Sequence, residues 1–238
     1  MLNNNLIFGD INFGNFGIIE SIERPYIAPI NPITKDISGK DGSLYRTNIL
    51  SPLTINAQIR LFDYCRKDID KLIHEFVDLI YTKDLKPLNY RDKRVWYDAV
   101  LIDIGTVEKY RNELAYLDLS FLIPSGDGRS ERRRDDYKQI TETKLSISTR
   151  RETEPIFKFT GQEVKITNMR TGEFLRIKAP SSMSFIIDGE KERVIGNNTN
   201  AIKYLDWSSD FFSIKDGDVI KSTAPVDIEF FERYLYDL

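Results

Sequence analysis

The sequence predicts a mainly β protein with one helix, in which an α+β first domain is followed by an antiparallel β-sandwich or jelly roll. Three observations carry this expectation. Between Glu163 and Ser222 apolar and polar residues alternate between tight turns. These segments are short and closely spaced, which suits antiparallel pairing with sequence neighbours rather than a parallel sheet. The first half holds the one strong helical pattern, and a lone amphipathic helix among strands packs on a sheet.

In the second half, Leu175 and Ile177 share one side of a strand while Phe174, Arg176 and Lys178 share the other, the period of two of a half-buried strand. Val164 to Ile166, Phe185 to Ile187, Val194 with Ile195, Phe211 to Ile214, and Val219 with Ile220 read the same way. The turns between them are marked by Gly172, by Asp188 with Gly189, and by Gly217, where glycine accepts the positive φ of hairpin turns. The final alternation, Val226, Ile228 and Phe230, predicts a strand closing this sheet.

In the first half, the glycines from Phe8 to Gly17 suit turns and close packing around Phe13 and Phe16. A strand is expected from Ile18 to Ile22. Pro25, Pro29 and Pro32 then bias the backbone toward extended geometry, so residues 24–43 are expected as an extended arm or hairpin able to reach another subunit. An ordinary surface loop is the plainer alternative. Ile69, Leu72, Ile73, Phe76 and Ile80 form one stripe of a helix expected from about Cys65 to Thr82, with Asp63 as its N-cap and Pro87 ending it. Strands follow at Val95 to Ile102 and at Leu114 to Ile123, where Leu117, Leu119, Phe121 and Ile123 share a face. Gly126 to Asp136 is polar and turn-rich and is read as the boundary region, a strand is expected near Lys144 to Ser148, and with the linker proper between Arg150 and Pro155 the domains are divided at 150/151.

Composition narrows the function classes. The 238 residues are 41% hydrophobic and 12% aromatic, enough for two packed cores. A net charge of -3 gives no concentrated positive field for a polyanion, so nucleic acid is not the expected main partner. The single Cys65 excludes an intrachain disulfide and suits assembly in a reducing cytoplasm. No signal peptide and no run of roughly 20 apolar residues is evident, so no membrane association is expected.

Signals for chemistry are sparse. The lone His74, with one Cys and no accompanying motif, gives no basis for zinc or a catalytic triad. Neither a phosphate-binding loop nor a dinucleotide fingerprint is present, and no catalytic, metal or cofactor residues are assigned. Arg132, Arg133 and Arg134 are flanked by Glu131, Asp135 and Asp136 without interleaved aromatics, which suits a solvated loop or docking on acidic groups of a neighbouring subunit. Trp207, with Tyr204 and Phe211, is a candidate sugar-stacking platform, against the plainer reading of a core cluster.

The order and spacing of several elements resemble the distal tail proteins of long-tailed (siphovirus-type) bacteriophages. In this sequence they are Gly39, Asp41 and Gly42, the Leu- and Ile-rich helix, Val95 to Val100, Leu117 to Leu122, Asn168 with Thr171, Gly172 and Glu173, Asp188 before Val194, and Gly217 to Ile220. The resemblance spans most of residues 14–222. It implies a β-sandwich or split-barrel-like first domain with one α-helix, a galectin-like second domain, and a last strand that returns to the first domain or stays in the second. It also implies a non-enzymatic hub: a ring, typically of six subunits, whose first domains line a central channel and whose second domains project outward. That hub joins the tail tube to the tip or baseplate proteins that recognise the host. A carbohydrate-binding adhesin acting through the second domain on a host glycan is the alternative, and a tail-associated hydrolase a third reading.

Overall fold

The computed structural model describes residues 5–36, 41, 43–62, 68–90, 94–110 and 114–235. They form a mostly antiparallel β protein with a single α-helix among them, as the sequence predicts. The chain divides into two compact units, the first running to Arg129 and the second from Ser130 to Tyr234.

In the first unit, β1 (Leu6–Phe8), β2 (Ile11–Asn12), β3 (Gly17–Glu23), β4 (Ile30–Asp36), β5 (Ser43–Leu50), β6 (Leu53–Phe62), α1 (Ile69–Ile80), β7 (Lys86–Tyr90), β8 (Val95–Tyr110) and β9 (Leu114–Ile123) follow in order. Seven of these strands hydrogen-bond in the order β2-β1-β7-β8-β9-β6-β3, while β4 and β5 pair only with each other. β8 is shared: Tyr97 to Ala99 pair with β7 and Val100 to Tyr110 with β9, so one long strand serves two layers. Alternation fixes the inner face, with Leu53, Ile55, Ala57, Ile59 and Leu61 of β6 and Leu117, Leu119, Phe121 and Ile123 of β9 all buried. Phe8 meets Phe121 at 5.1 Å between ring centroids, and Phe13 meets Phe76 of the helix at 5.1 Å. At Gly17 a Cβ would lie 2.1 Å from the Arg60 carbonyl oxygen, so only glycine admits this approach of β3 to β6.

The helix departs from expectation at both ends. Its N-cap is Asp68, whose carboxylate accepts from the N–H groups of Asp70 and Lys71; the expected cap Asp63 lies outside the described residues. It stops because Tyr81 turns extended, at φ -68 and ψ 120. Pro87 instead sits within β7, opposite Asp98. The stripe itself is as read: Ile69, Ile73, Phe76 and Ile80 are buried and Leu72 is half-buried.

A short strand, β10 (Gly128–Ser130), leads to the second unit, which comprises β11 (Arg134–Lys144), β12 (Ile156–Asn168), β13 (Phe174–Asp188), β14 (Arg193–Gly196), β15 (Thr199–Asn200), β16 (Val219–Phe230) and β17 (Arg233–Tyr234). Six of them pair in the order β11-β16-β12-β13-β14-β15. The ladders slip at matching levels, between Gly161 and Glu163 and between Ile140 and Glu142. Such bulges bend long strands, which lets one sheet close over a core of Phe157, Ile166, Leu175, Ile177, Phe185 and Ile228.

Several elements of the second half differ from the sequence expectation. The stretch Gly126 to Asp136 is turns around β10 up to the start of β11, and because β11 pairs with β16 the second compact unit begins within that stretch, at Ser130, rather than at 150/151. Leu145 to Ser148 is not a strand, although Leu145 and Ile147 are buried; its backbone bonds the Lys215 to Asp218 turn instead. Phe211 to Ile214 makes one isolated bridge, from Ile214 to Thr153. Phe174 to Lys178 and Phe185 to Asp188 are parts of one 15-residue strand. Val226 to Phe230 lies in β16, between β11 and β12, and so does not close an edge.

Candidate assembly interface

β4 and β5 form a two-stranded hairpin with nearly every residue exposed. It is the arm that the prolines announced, but it extends to Leu50 instead of ending at Ser43, and Pro32 pairs within it opposite Asn48. The register places Ile30, Pro32, Tyr45 and Leu50 on one face and Ile33, Leu44 and Ile49 on the other. Ile30, Leu44, Tyr45 and Ile49 are each at least half exposed. Polar residues share both faces, Thr34, Asp36, Ser43 and Asn48 on the first and Asn31, Lys35 and Thr47 on the second, so each face offers apolar side chains within a polar frame, as a surface that docks on a partner does. Alone in water such a pair is marginal at best, and both its edges keep unpaired backbone groups.

The root of the arm is fixed. Ala28 is buried, the Ser51 N–H donates to the Pro29 carbonyl at 2.8 Å, and Asn31 Nδ2 donates to Ser51 Oγ at 2.6 Å. Arg24 donates to the Tyr97 hydroxyl at 2.6 Å and to the Tyr26 carbonyl at 2.9 Å. Gly126, at φ +70, passes so close that a Cβ would lie 2.3 Å from the Ser51 carbonyl oxygen. Among the turn residues tied to the arm, Asp41 is exposed, while Gly39 and Gly42 lie outside the described residues.

In the second unit the turns do different work from one another. Gly172 (φ +80) and Gly217 (φ +82) take the positive φ expected of them. Gly189 does not; a Cβ there would lie 2.8 Å from the Pro155 carbonyl oxygen, so its role is close approach, and the positive φ in that turn belongs to Glu192. Asp188 caps the turn by accepting from the Lys191 N–H at 3.2 Å. Asp218 is buried and accepts from Arg170 Nε at 2.6 Å, Asn168 Nδ2 at 2.9 Å and the Lys215 N–H at 3.2 Å. Burial pushes its carboxyl up, but these donors outweigh burial and hold it below the usual carboxylate range.

The arginine run is not a uniform basic patch. Arg134 is bound up in the fold, donating to Asp136 at 2.8 Å, to the Ser146 carbonyl at 2.7 Å and to Glu232 at 3.2 Å. Glu232 also accepts from Ser148 Oγ at 2.6 Å and from the Tyr234 hydroxyl at 2.9 Å. Burial raises the Glu232 carboxyl, and those hydrogen bonds more than reverse the effect. Arg133 lies over the Phe231 ring at 4.9 Å, whereas Arg132 is exposed. Trp207 is fully exposed, yet Tyr204 and Phe211 pack half-buried against the core, so the three aromatics do not make one platform.

A family model for the siphovirus-type tail component, C-terminal domain, matches residues 148–234, and one for the phage tail protein RIFT-related domain matches residues 11–122. The chain belongs to the distal tail protein family of siphovirus-type bacteriophages. Solved structures share the fold of this tail component. The SPP1 Dit (gp 19.1) protein, described as a paradigm of hub adsorption apparatus in phages infecting Gram-positive bacteria, aligns at 15% identity over 97% of this chain and 99% of its own, with a TM-score of 0.77. A chain of the phage P2 baseplate in its activated conformation with Ca aligns at 10% identity over 99% of this chain and 100% of its own, with a TM-score of 0.63. A comparison with curated protein sequences finds no match.

Sequence reasoning missed β5 as half of the arm of this tail component, as well as Glu232 and Asp218 as the anchors of Arg134 and Arg170. β5 had a readable signal: Leu44, Tyr45, Ile49 and Leu50 bracket polar residues, a run as suited to a strand as its partner. The carboxylate anchors had none, because Glu232 lies 98 residues from Arg134.

Proposed function

We propose that the chain is a ring-forming hub subunit at the distal end of a bacteriophage tail, where it joins the tail tube to the tip or baseplate proteins that recognise the host. One observation carries the reading: a hairpin with exposed apolar side chains on both faces, hydrogen-bonded at its root to the first unit and, among the described residues, exposed along nearly its whole length. A subunit that closes a ring needs two different complementary patches, one offered and one receiving. The arm is the offered patch, and a neighbouring first unit receives it. Six subunits is the ring size we adopt, in keeping with the family.

The solvent face of the first sheet suits a channel wall. Gln58 donates to Asp118 at 3.0 Å and Ser120 to Asn56 at 2.9 Å, so its polar groups are already paired. A wall of satisfied amides, hydroxyls and carboxylates offers little to hold a passing polyanion. A scaffold of this kind requires subunit contacts and no catalytic group. Assembly in the host cytoplasm fits a sequence whose single Cys65 cannot form an intrachain disulfide. Native mass measurement of the purified chain tests the reading: a closed ring is expected, and a chain that stays monomeric both alone and with its tail tube partner refutes it.

A further inference from the structure

The outer face of the second unit carries a groove of about 520 Å³, formed where β11, β16, β12 and β13 lie side by side and lined by Gln139, Asp227, Lys158, Thr160, Ser184 and Ile186. Four non-glycine residues have positive φ among the described residues; three sit in turns, and Gln139, at φ 50, alone lies within a strand. The ladder to β16 slips between Tyr137 and Ile140, so Gln139 lies in a β-bulge, a device that re-aims groups on the bulged strand. Here it turns both the backbone N–H and Nε2 of Gln139 onto Asp227 Oδ1, at 2.7 and 3.2 Å. The other carboxylate oxygen of Asp227 has no partner among the described residues and remains an open acceptor. Beside it, Lys158 Nζ is neutralised by Glu229 at 2.5 Å yet keeps two further N–H donors. The Thr160 and Ser184 hydroxyls lie 3.1 Å apart, each with bonding capacity to spare.

We infer that this groove binds a neutral saccharide. Adjacent hydroxyls of a sugar ring both donate and accept, so one ligand can satisfy the open carboxylate oxygen, the ammonium and the hydroxyl pair together. Ile186 and Pro225 supply apolar surface for its C–H faces. The two charged side chains that line the groove, Asp227 and Lys158, are of opposite sign, so it has no net charge to select an anion or a cation. A protein partner finds no anchor, because none of the large exposed hydrophobic side chains lies in this groove. The site is separate from Trp207, which does not line it.

The test uses the full chain and saturation-transfer NMR with maltotetraose, lactose, mannotriose and tetra-N-acetylchitotetraose at millimolar concentration. At least one probe is expected to bind. Asp227→Asn, which keeps the acceptor for Gln139, and Ser184→Ala should each weaken that binding about tenfold or more without lowering thermal stability. Trp207→Ala should leave it unchanged. Thr160→Val serves as a further surface variant should Asp227→Asn lose stability. No saturation transfer with any probe overturns the inference, as does binding that disappears in Trp207→Ala but survives in the groove variants. Ring mass recorded on the same samples keeps the hub reading separate, because ring formation and saccharide binding are scored independently.

Discussion

Replacing Ile33, Leu44 and Ile49 together by serine removes one apolar face of the arm and nothing else, because these side chains keep 38%, 53% and 54% of their surface exposed in the isolated chain. Fully burying such a side chain stabilises by ~2 kcal/mol, so covering what is exposed here stabilises each subunit contact by about 3 kcal/mol. That corresponds to a roughly hundredfold weaker contact in the triple variant. The effect repeats at every interface around a ring, so at micromolar protein the variant is expected to dissociate while the parent stays closed. About half of each side chain is covered within the hairpin itself, so the monomer is expected to loosen in the arm, whose strands pair only with each other, while the unfolding transitions of its two cores stay unchanged. Native mass spectrometry and light scattering read the assembly, and calorimetry reads the fold. An intact ring in the triple variant refutes the assignment of this face to the interface, and a large loss of monomer stability refutes the claim that the arm stands clear of its own core.

Acid should weaken the second unit selectively. Asp218 and Glu232 are both held below their ordinary carboxylate values when folded. Their contribution is therefore complete above the unfolded pKa of about 4 and is lost as pH falls through the folded values, a trend visible as a declining unfolding temperature that Asp218→Asn should flatten. Arg134→Ala should destabilise the second unit by about 2 kcal/mol because it strips a donor from buried Glu232, whereas Arg132→Ala should be silent in the same denaturant titration. In the first unit, Gly17→Ala forces a methyl group against the Arg60 carbonyl and should cost about 2 kcal/mol, read as loss of the first of two unfolding transitions. Gly172→Ala meets open space but keeps φ +80, so a smaller cost of about 1 kcal/mol is expected.

Much of the architecture was legible because side-chain periodicity is a local property of the chain. The stripe of Ile69, Ile73, Phe76 and Ile80 and the alternation through β9 follow from 3.6- and 2-residue repeats that burial then obeys. The prolines announced an arm for the same reason, since each fixes its own φ and biases its neighbour. What periodicity leaves open is the partner. Leu145 and Ile147 alternate and are buried as a strand's would be, yet their backbone bonds a turn rather than a ladder.

The candidate sites depended more heavily on distant pairing. The sequence by itself determined a β-rich, two-domain chain with one amphipathic helix, an extended arm and turns at Gly172 and Gly217. Only the tertiary structure decided that the arm is paired and presents apolar side chains on both faces, because that follows from the register of β4 against β5. Likewise, only the fold could bind Arg134 to Glu232 and strain Gln139 against Asp227, since hydrogen bonds spanning 98 and 88 residues exist only after the strands between them have found their neighbours.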